Sequence, residues 1–337
     1  LLRVRPSREP TGAGRPARRR GHGGRGSGMS ASTAEERRTV PRRALARPAS
    51  RFVTVDGVEV HHEVHGPDRG ASRPAPDAPA LLLSHHFYGS TRVWDRLTPR
   101  LTDAHRVVTW DRPGFGLTER PRRRPDGAPY TRAAAARLGW GLLDSLGVDD
   151  AVLVGASAGG SNVLEMYARA PERVRALVLL APAITGDVGA PPRLRPLLRT
   201  APVRHLAPPI VERFAGEVTH ARSTRSWADP SRATDADIAP YRDLLRIEGW
   251  ARGLWDVMTA EPPPDLRPVL RRVHVPTLVV TGAQDRTIAP RWGRWVADAV
   301  PDGRFALLAD CGHVPHQERP DELATLVRPF LAEVLDG

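Results

Sequence analysis

Ser157 stands in "GASAGG" (155–160), where a G-x-S-x-G spacing closes the apolar run "DAVLVG" and opens the helical stretch "SAGGSNVLEMYARA". So sharp a strand-to-helix turn exposes its middle side chain and requires small flanking residues. A serine hydroxyl held this way is a nucleophile once a base takes its proton, and that base needs an acid to orient it. Asp285 follows the run "PTLVVTG" in "AQDRTIAP", and His313 follows "GRFALLA" in "DCGHVPHQERP". The chain order Ser, acid, His with each residue just past a strand suits attack on an acyl carbon. The amide of Ala158, at the helix start, is placed to stabilise a developing oxyanion. A dinucleotide loop would need G-x-G-x-x-G after the first strand, which is neither this spacing nor this strand.

Other side chains compete with these three for a catalytic role. Asp310 reads as the end of its strand, and His316, before "QERP", reads as structural. Asp111, in "DRPGFGLT", reads as a loop-holding carboxylate accepting backbone hydrogen bonds. The neighbours His85 and His86 in "SHHFYGS" invite a metal or a base, but the chain order assigns the base to His313. His61, His62 and His65 lie on one strand, where successive side chains face opposite ways. They are expected to be solvated strand histidines rather than metal ligands.

The elements that must position these residues follow from the apolar pattern. "RFVTV-DG-VEVHHEVHG" is a hairpin joined by Asp56-Gly57. After it come "ALLLS", "HRVVTW" (105–110), "DAVLVG" (150–155), "VRALVLLA" (174–181), "PTLVVTG" (276–282) and "GRFALLA" (303–309). Helical stretches at 131–147, 157–170, 291–300 and 319–335 separate the later runs. Short continuous apolar runs alternating with helices predict an α/β fold: a mostly parallel sheet with helices on both faces, after an N-terminal antiparallel hairpin. The alternation stops from about 183 to 270, a Pro-, Arg- and Trp-rich insertion with helical pieces such as "DADIAPYRDLLRIEGWARGLWDVM".

With these pieces in order, residues 52 to 335 resemble the α/β-hydrolase family. The resemblance rests on "SHHFYGSTRVWD" for the family's H-G-F-x-G-S-x-x-x-W loop, "DRPGFGLT", "VLVGASAGG", "TGAQDRTIAP" and "CGHVPHQERP". It implies that Ser157 is the nucleophile, Asp285 the acid and His313 the base. It also implies that the backbone amides of Phe87 and Ala158 form the oxyanion hole, and that residues 183–270 form a helical cap. His86 departs from the family's usual glycine, so a Cβ must be accommodated in the oxyanion loop. Ser at the elbow separates the chain from family branches that carry Asp there. What remains is serine-dependent cleavage of a small ester, thioester, lactone or C–C ketone substrate, with no cofactor and no metal. Same-fold acyltransferases, lyases, cofactor-free haloperoxidase-like enzymes and non-catalytic binding proteins stay open as alternatives. His86, Tyr88, Trp227, Tyr241, Trp250 and Trp255 are candidates for the substrate pocket. Arg246 and Arg252 carry no signal in so Arg-rich a chain.

Composition sets the boundaries. The formal net charge of +12 is concentrated at the start, where residues 1–50 hold 13 Arg against three Glu, or +10, leaving about +2 for the rest. The basicity is therefore not evidence for nucleic-acid binding by the body of the chain. The expected division is a disordered tail (1–50, with Met29 as the native start), a hydrolase core (51–182 and 271–337) and a cap (183–270). No apolar run approaches a membrane span, so no membrane partner is expected. One cysteine, Cys311, precludes an internal disulfide and fits a cytoplasmic protein, monomeric or homo-oligomeric.

Overall fold

The computed structural model describes residues 39–66, 80–184, 192–200, 202–212, 225–260 and 265–336. The hairpin forms as the sequence requires. β1 (Ser50–Val55) and β2 (Val58–His65) pair antiparallel across Asp56 and Gly57, whose φ angles of 49° and 75° suit the Asp-Gly turn. β3 (Ala80–Ser84), β4 (Val107–Trp110), β5 (Ala151–Ala156), β6 (Val174–Leu180), β7 (Thr277–Gly282) and β8 (Gly303–Leu308) extend the sheet in the order β1-β2-β4-β3-β5-β6-β7-β8. β2 joins β4 antiparallel, and every pair from β4 to β8 is parallel.

The short strands are apolar throughout because both faces of the sheet are covered. Leu82, Val108 and Leu153 face one core with α1 (Arg132–Ser145) and α2 (Ala158–Arg169). Their strand neighbours Leu81, Leu83, Val107, Val152 and Val154 face the other core. Val327, Phe330 and Leu331 of the last helix pack there. Thr131 caps α1 by accepting the N–H of Ala134 at 3.2 Å.

Between β6 and β7 lie α3 (Asp235–Leu244), begun by a Thr234/Asp237 capping box, and α4 (Trp250–Met258). α3 ends with Leu245 as its C-cap, and Gly249, at φ 71°, is the N-cap of α4. α5 (Pro290–Ala299) and α6 (Pro320–Asp336) complete the alternation. Each of these two starts with proline, whose missing N–H costs nothing there. Among the described residues no helix is long and apolar enough to cross a membrane.

Two expectations need correction. His61 and His62 are not solvated: they are 1% and 4% exposed, and the His61 ring is packed among Asp111, Ser50 and Phe52. Burial pushes the His62 imidazole down to about 4. Residues 39–50 were grouped with the tail, yet they pack on the body. Val40 pairs with Ile247, Arg47 forms an ion pair with Glu63 at 2.7 Å, and Ser50 opens β1. Residues 1–38 lie outside the described residues.

Candidate active site

The elbow at Ser157 is built by close approach. Ser157 has φ 50° and ψ −114°, a conformation that L-residues avoid unless their surroundings impose it. Its N–H donates to the Leu180 carbonyl at 2.8 Å, and its carbonyl accepts from Gly160 (2.9 Å) and Ala183 (3.0 Å). A Cβ on Gly155 would lie 2.6 Å from the Gly159 carbonyl oxygen, and one on Gly159 would lie 2.0 Å from that of Ser84. Both glycines of the G-x-S-x-G spacing are thus sterically required. Ala158 is the first residue of α2, so its N–H has no partner within the helix.

Asp285 and His313 meet directly. His313 Nδ1–H donates to Asp285 Oδ2 at 2.8 Å, while Asp285 Oδ1 accepts the N–H groups of Thr287 and Ile288, each at 2.8 Å. The carboxylate is hydrogen-bonded through both oxygens, which holds the ring in place. Ser157, Asp285 and His313 are 9%, 6% and 7% exposed, and all three follow parallel strands at the same sheet edge. The His313 loop is held in turn by Glu318, whose carboxylate accepts from Gly312 (2.6 Å) and Ala228 (2.9 Å), and by His313 N–H donating to Ser226 O at 2.6 Å. Burial pushes the Glu318 carboxyl up, against these hydrogen bonds.

The loop that carries His86 accommodates its Cβ without a positive φ at that residue. The His86 carbonyl accepts from His85 Nδ1 (2.7 Å), Gly89 N–H (3.0 Å) and Arg112 (3.3 Å). In a trans peptide the N–H points opposite the carbonyl, so these donors also orient the Phe87 N–H. His85 Nε2 accepts the Arg112 N–H at 3.1 Å, which completes a structural role for His85. His86 has no positive φ. The strained residue is Tyr88, at φ 64°.

A profile of the alpha/beta hydrolase fold matches residues 79–320. The chain belongs to this family. It is 31% identical over 262 residues to a pimeloyl-acyl-carrier-protein methyl ester esterase of Aromatoleum aromaticum, covering 74% of this chain and 96% of that protein. It is 29% identical over 249 residues to a 2-hydroxymuconate semialdehyde hydrolase of Pseudomonas sp. strain CF600, covering 71% and 81%. Among solved structures, the enol-lactonase of Burkholderia xenovorans LB400 superposes with a TM-score of 0.66 at 25% identity, covering 84% and 100%.

Within this α/β-hydrolase-fold chain the other candidates sort by contact. Tyr241 and His86 come together: their rings stack at 5.8 Å and the hydroxyl lies 3.1 Å from His86 Nε2. Trp250 shares an apolar cluster with Phe87, Tyr88, Phe115 and Leu254. Trp227 is buried beneath Arg96, and the Trp255 indole donates to Leu198 O at 3.3 Å. His316 packs on Trp94 at 4.5 Å with neither ring nitrogen hydrogen-bonded among the described residues. Asp111 holds its loop, accepting from Thr91 (2.6 Å) and Leu117 (2.7 Å). It also bonds His61 Nδ1 at 2.6 Å, and His61 Nε2 lies 2.8 Å from Ser50 Oγ, the same order of groups as in a serine triad. The adjoining hollow is about 20 Å³, room for about one water. Among the described residues no three His, Cys, Asp or Glu side chains converge as metal ligands. Gln284, Gln317 and Glu318 were missed in the sequence. Each acts by a contact to a distant loop, for which local spacing gives no signal.

Proposed function

We propose that this chain is a serine hydrolase that cleaves a small ester-like substrate through an acyl-enzyme on Ser157. The observation that carries the reading is the 2.8 Å hydrogen bond from His313 to Asp285, at the sheet edge where the strained Ser157 elbow opens. In this mechanism His313 Nε2 takes the Ser157 proton as Oγ attacks the acyl carbon. The Phe87 and Ala158 amides receive the oxyanion. His313 then protonates the leaving group and afterwards activates the water that deacylates Ser157. Asp285 keeps the hydrogen on Nδ1 and stabilises the imidazolium. The methyl ester esterase and the lactonase among the similar proteins support an ester-type bond, and the semialdehyde hydrolase keeps a C–C ketone within range.

The test is a fluorophosphonate probe followed by peptide mapping, with a turnover screen over p-nitrophenyl esters of varied chain length, thioesters, lactones and a 1,3-diketone. Labelling at Ser157 that disappears in Ser157→Ala is expected, with turnover of at least one ester. Undiminished labelling of Ser157→Ala would refute the assignment.

A further inference from the structure

A larger hollow, with no residue of the triad or the oxyanion loop in its wall, is lined by arginine. It measures about 460 Å³, and Arg42, Arg43, Arg120 and Arg252 line it together with Glu248 and Gly249. That volume lies within the roughly 300–1,000 Å³ of small-molecule sites. Three separate stretches of chain build it. Residues 40–43 are held to residues 246–248 by backbone bonds, from Val40 N–H to Arg246 O (2.7 Å) and from Glu248 N–H to Val40 O (2.9 Å). Arg120 lies in the loop after β4, and Arg252 lies in the first turn of α4.

The charges there do not cancel. Glu59 pairs with both Arg42 and Arg43, and Glu248 is the only carboxylate among the lining residues. Arg120 and Arg252 form no ion pair among the described residues, whereas Arg96, Arg173 and Arg304 each meet a carboxylate. Four guanidinium groups thus face two carboxylates. Arg120 donates to the carbonyls of Gly116 (2.7 Å) and Thr118 (3.2 Å), and Arg252 to those of Arg120 and Pro121 (3.3 Å). These carbonyls fix the two side chains without neutralising them. Arg120 is 8% exposed, and its Nε has no hydrogen-bond partner among the described residues. Burial, with Arg42 and Arg252 close by, pushes its guanidinium down to about 10. A buried cation without a counter-charge is costly, and an anion in the hollow would offset that cost.

The backbone adds to this field. α4 begins at Gly249 with no side chain capping it and no acidic residue in its first turn. The N–H groups of Ala251 and Arg252 therefore have no partner within the helix, and the positive end of its dipole lies where Gly249 and Arg252 line the hollow. Fixed guanidinium groups beside a helix start suit the bidentate recognition of a phosphoryl group. We propose that this hollow binds a small molecule bearing a phosphate or diphosphate group, with Arg120 and Arg252 as its anchors and Arg42 and Arg43 as outer contacts. The site is independent of the serine-hydrolase reading. It gives Arg252 a role that the Arg-rich composition of the chain conceals.

The test is calorimetric titration of the full chain with inorganic phosphate and with pyrophosphate, at low and fixed ionic strength. Calorimetry is preferred to a melting temperature because phosphate also strengthens folded proteins without occupying a site. Saturable one-to-one binding is expected. Arg252→Gln and Arg120→Gln should each weaken it roughly 10-fold or more, while Arg175→Gln, on β6 and outside the hollow, should leave it unchanged. Tighter binding of pyrophosphate would assign a diphosphate, and otherwise a single phosphoryl group. No saturable heat with either anion, or equal weakening by Arg175→Gln, would overturn the proposal. Arg252 is only half-buried, so its variant decides the matter if Arg120→Gln does not fold.

Discussion

The loops that carry Asp285 and His313 are joined through Gln284 and Cys311: the Cys311 N–H donates to the Gln284 side-chain oxygen, and the Gln284 N–H donates to the Cys311 carbonyl, each at 2.9 Å. Asp285 and His313 therefore stand on one ladder rather than on two independent loops. Gly282 lets the loops approach so closely, since a Cβ there would sit 2.1 Å from the Gly312 carbonyl oxygen. Replacing Gln284 by Ala leaves the buried Cys311 N–H without its partner, at about 1–3 kcal/mol. Thermal unfolding should shift down by several degrees. Ester turnover should fall as well, because the His313 ring loses part of its support.

Asp285→Asn tests the acid separately. An amide in place of the carboxylate no longer selects the Nδ1–H form of His313, and kcat should fall on the order of 10⁴-fold while the fold is retained. A circular dichroism melt within a few degrees of wild type, together with an ester assay, would check both halves. Near-normal turnover would mean that another carboxylate serves His313.

Gly159→Ala tests the elbow. Its Cβ would lie 2.0 Å from the Ser84 carbonyl oxygen, so either α2 or the start of the oxyanion loop must move. A loss of about 3 kcal/mol is expected, read by urea unfolding. Ordinary stability and activity in this variant would show that the turn is looser than its geometry states.

Asp111→Ala should separate stability from catalysis. It removes the acceptor of the Thr91 and Leu117 N–H groups and the partner of His61, so a loss of about 3 kcal/mol or more is expected. At a temperature where the variant remains folded, phosphonylation of Ser157 should still be detected by mass spectrometry. Its complete absence there would give Asp111 a catalytic role.

Acid stability follows from His62. Its folded value of about 4 lies below the usual 6.5, so between these values the unfolded chain binds a proton that the folded chain refuses. The contribution is complete above about pH 6.5 and is lost as pH falls toward 4, at roughly 1.4 kcal/mol per unit. Urea titrations at pH 7, 5.5 and 4 should show His62→Gln losing less stability on acidification than wild type. Parallel curves would rule the His62 contribution out.

Much of this architecture was legible because it is local. The Asp-Gly turn, the continuous apolar strands and the proline-started helices are each written within about ten residues, and the observed elements lie within a few residues of the expected ones. Asp285 and His313 were singled out by their distance past a strand, and the structure brings these two side chains together. The failures share a different cause. His61 and His62 were read as solvated because an alternating strand with polar residues suggests an open face. Nothing near His61 in the chain shows that Asp111, 50 residues away and just past β4, would become its partner. Tyr241 was singled out as an aromatic pocket wall, yet its hydroxyl contacts lie 155 and 76 residues away in the chain. Contacts of that range are decided by topology and leave no periodic trace.

The bond from His313 N–H to the Ser226 carbonyl has a consequence for anyone wishing to re-engineer specificity. Gly312 faces the same backbone, and a Cβ there would come within 2.4 Å of that oxygen. The stretch between β6 and β7 is where transplanting a relative's segment would look simplest. Residues 226–228, however, form part of the mould in which the histidine turn is cast. A graft that keeps these three residues and their spacing from Glu318 should preserve the turn that carries His313, whereas one cut inside them would exchange the segment and deform that turn together.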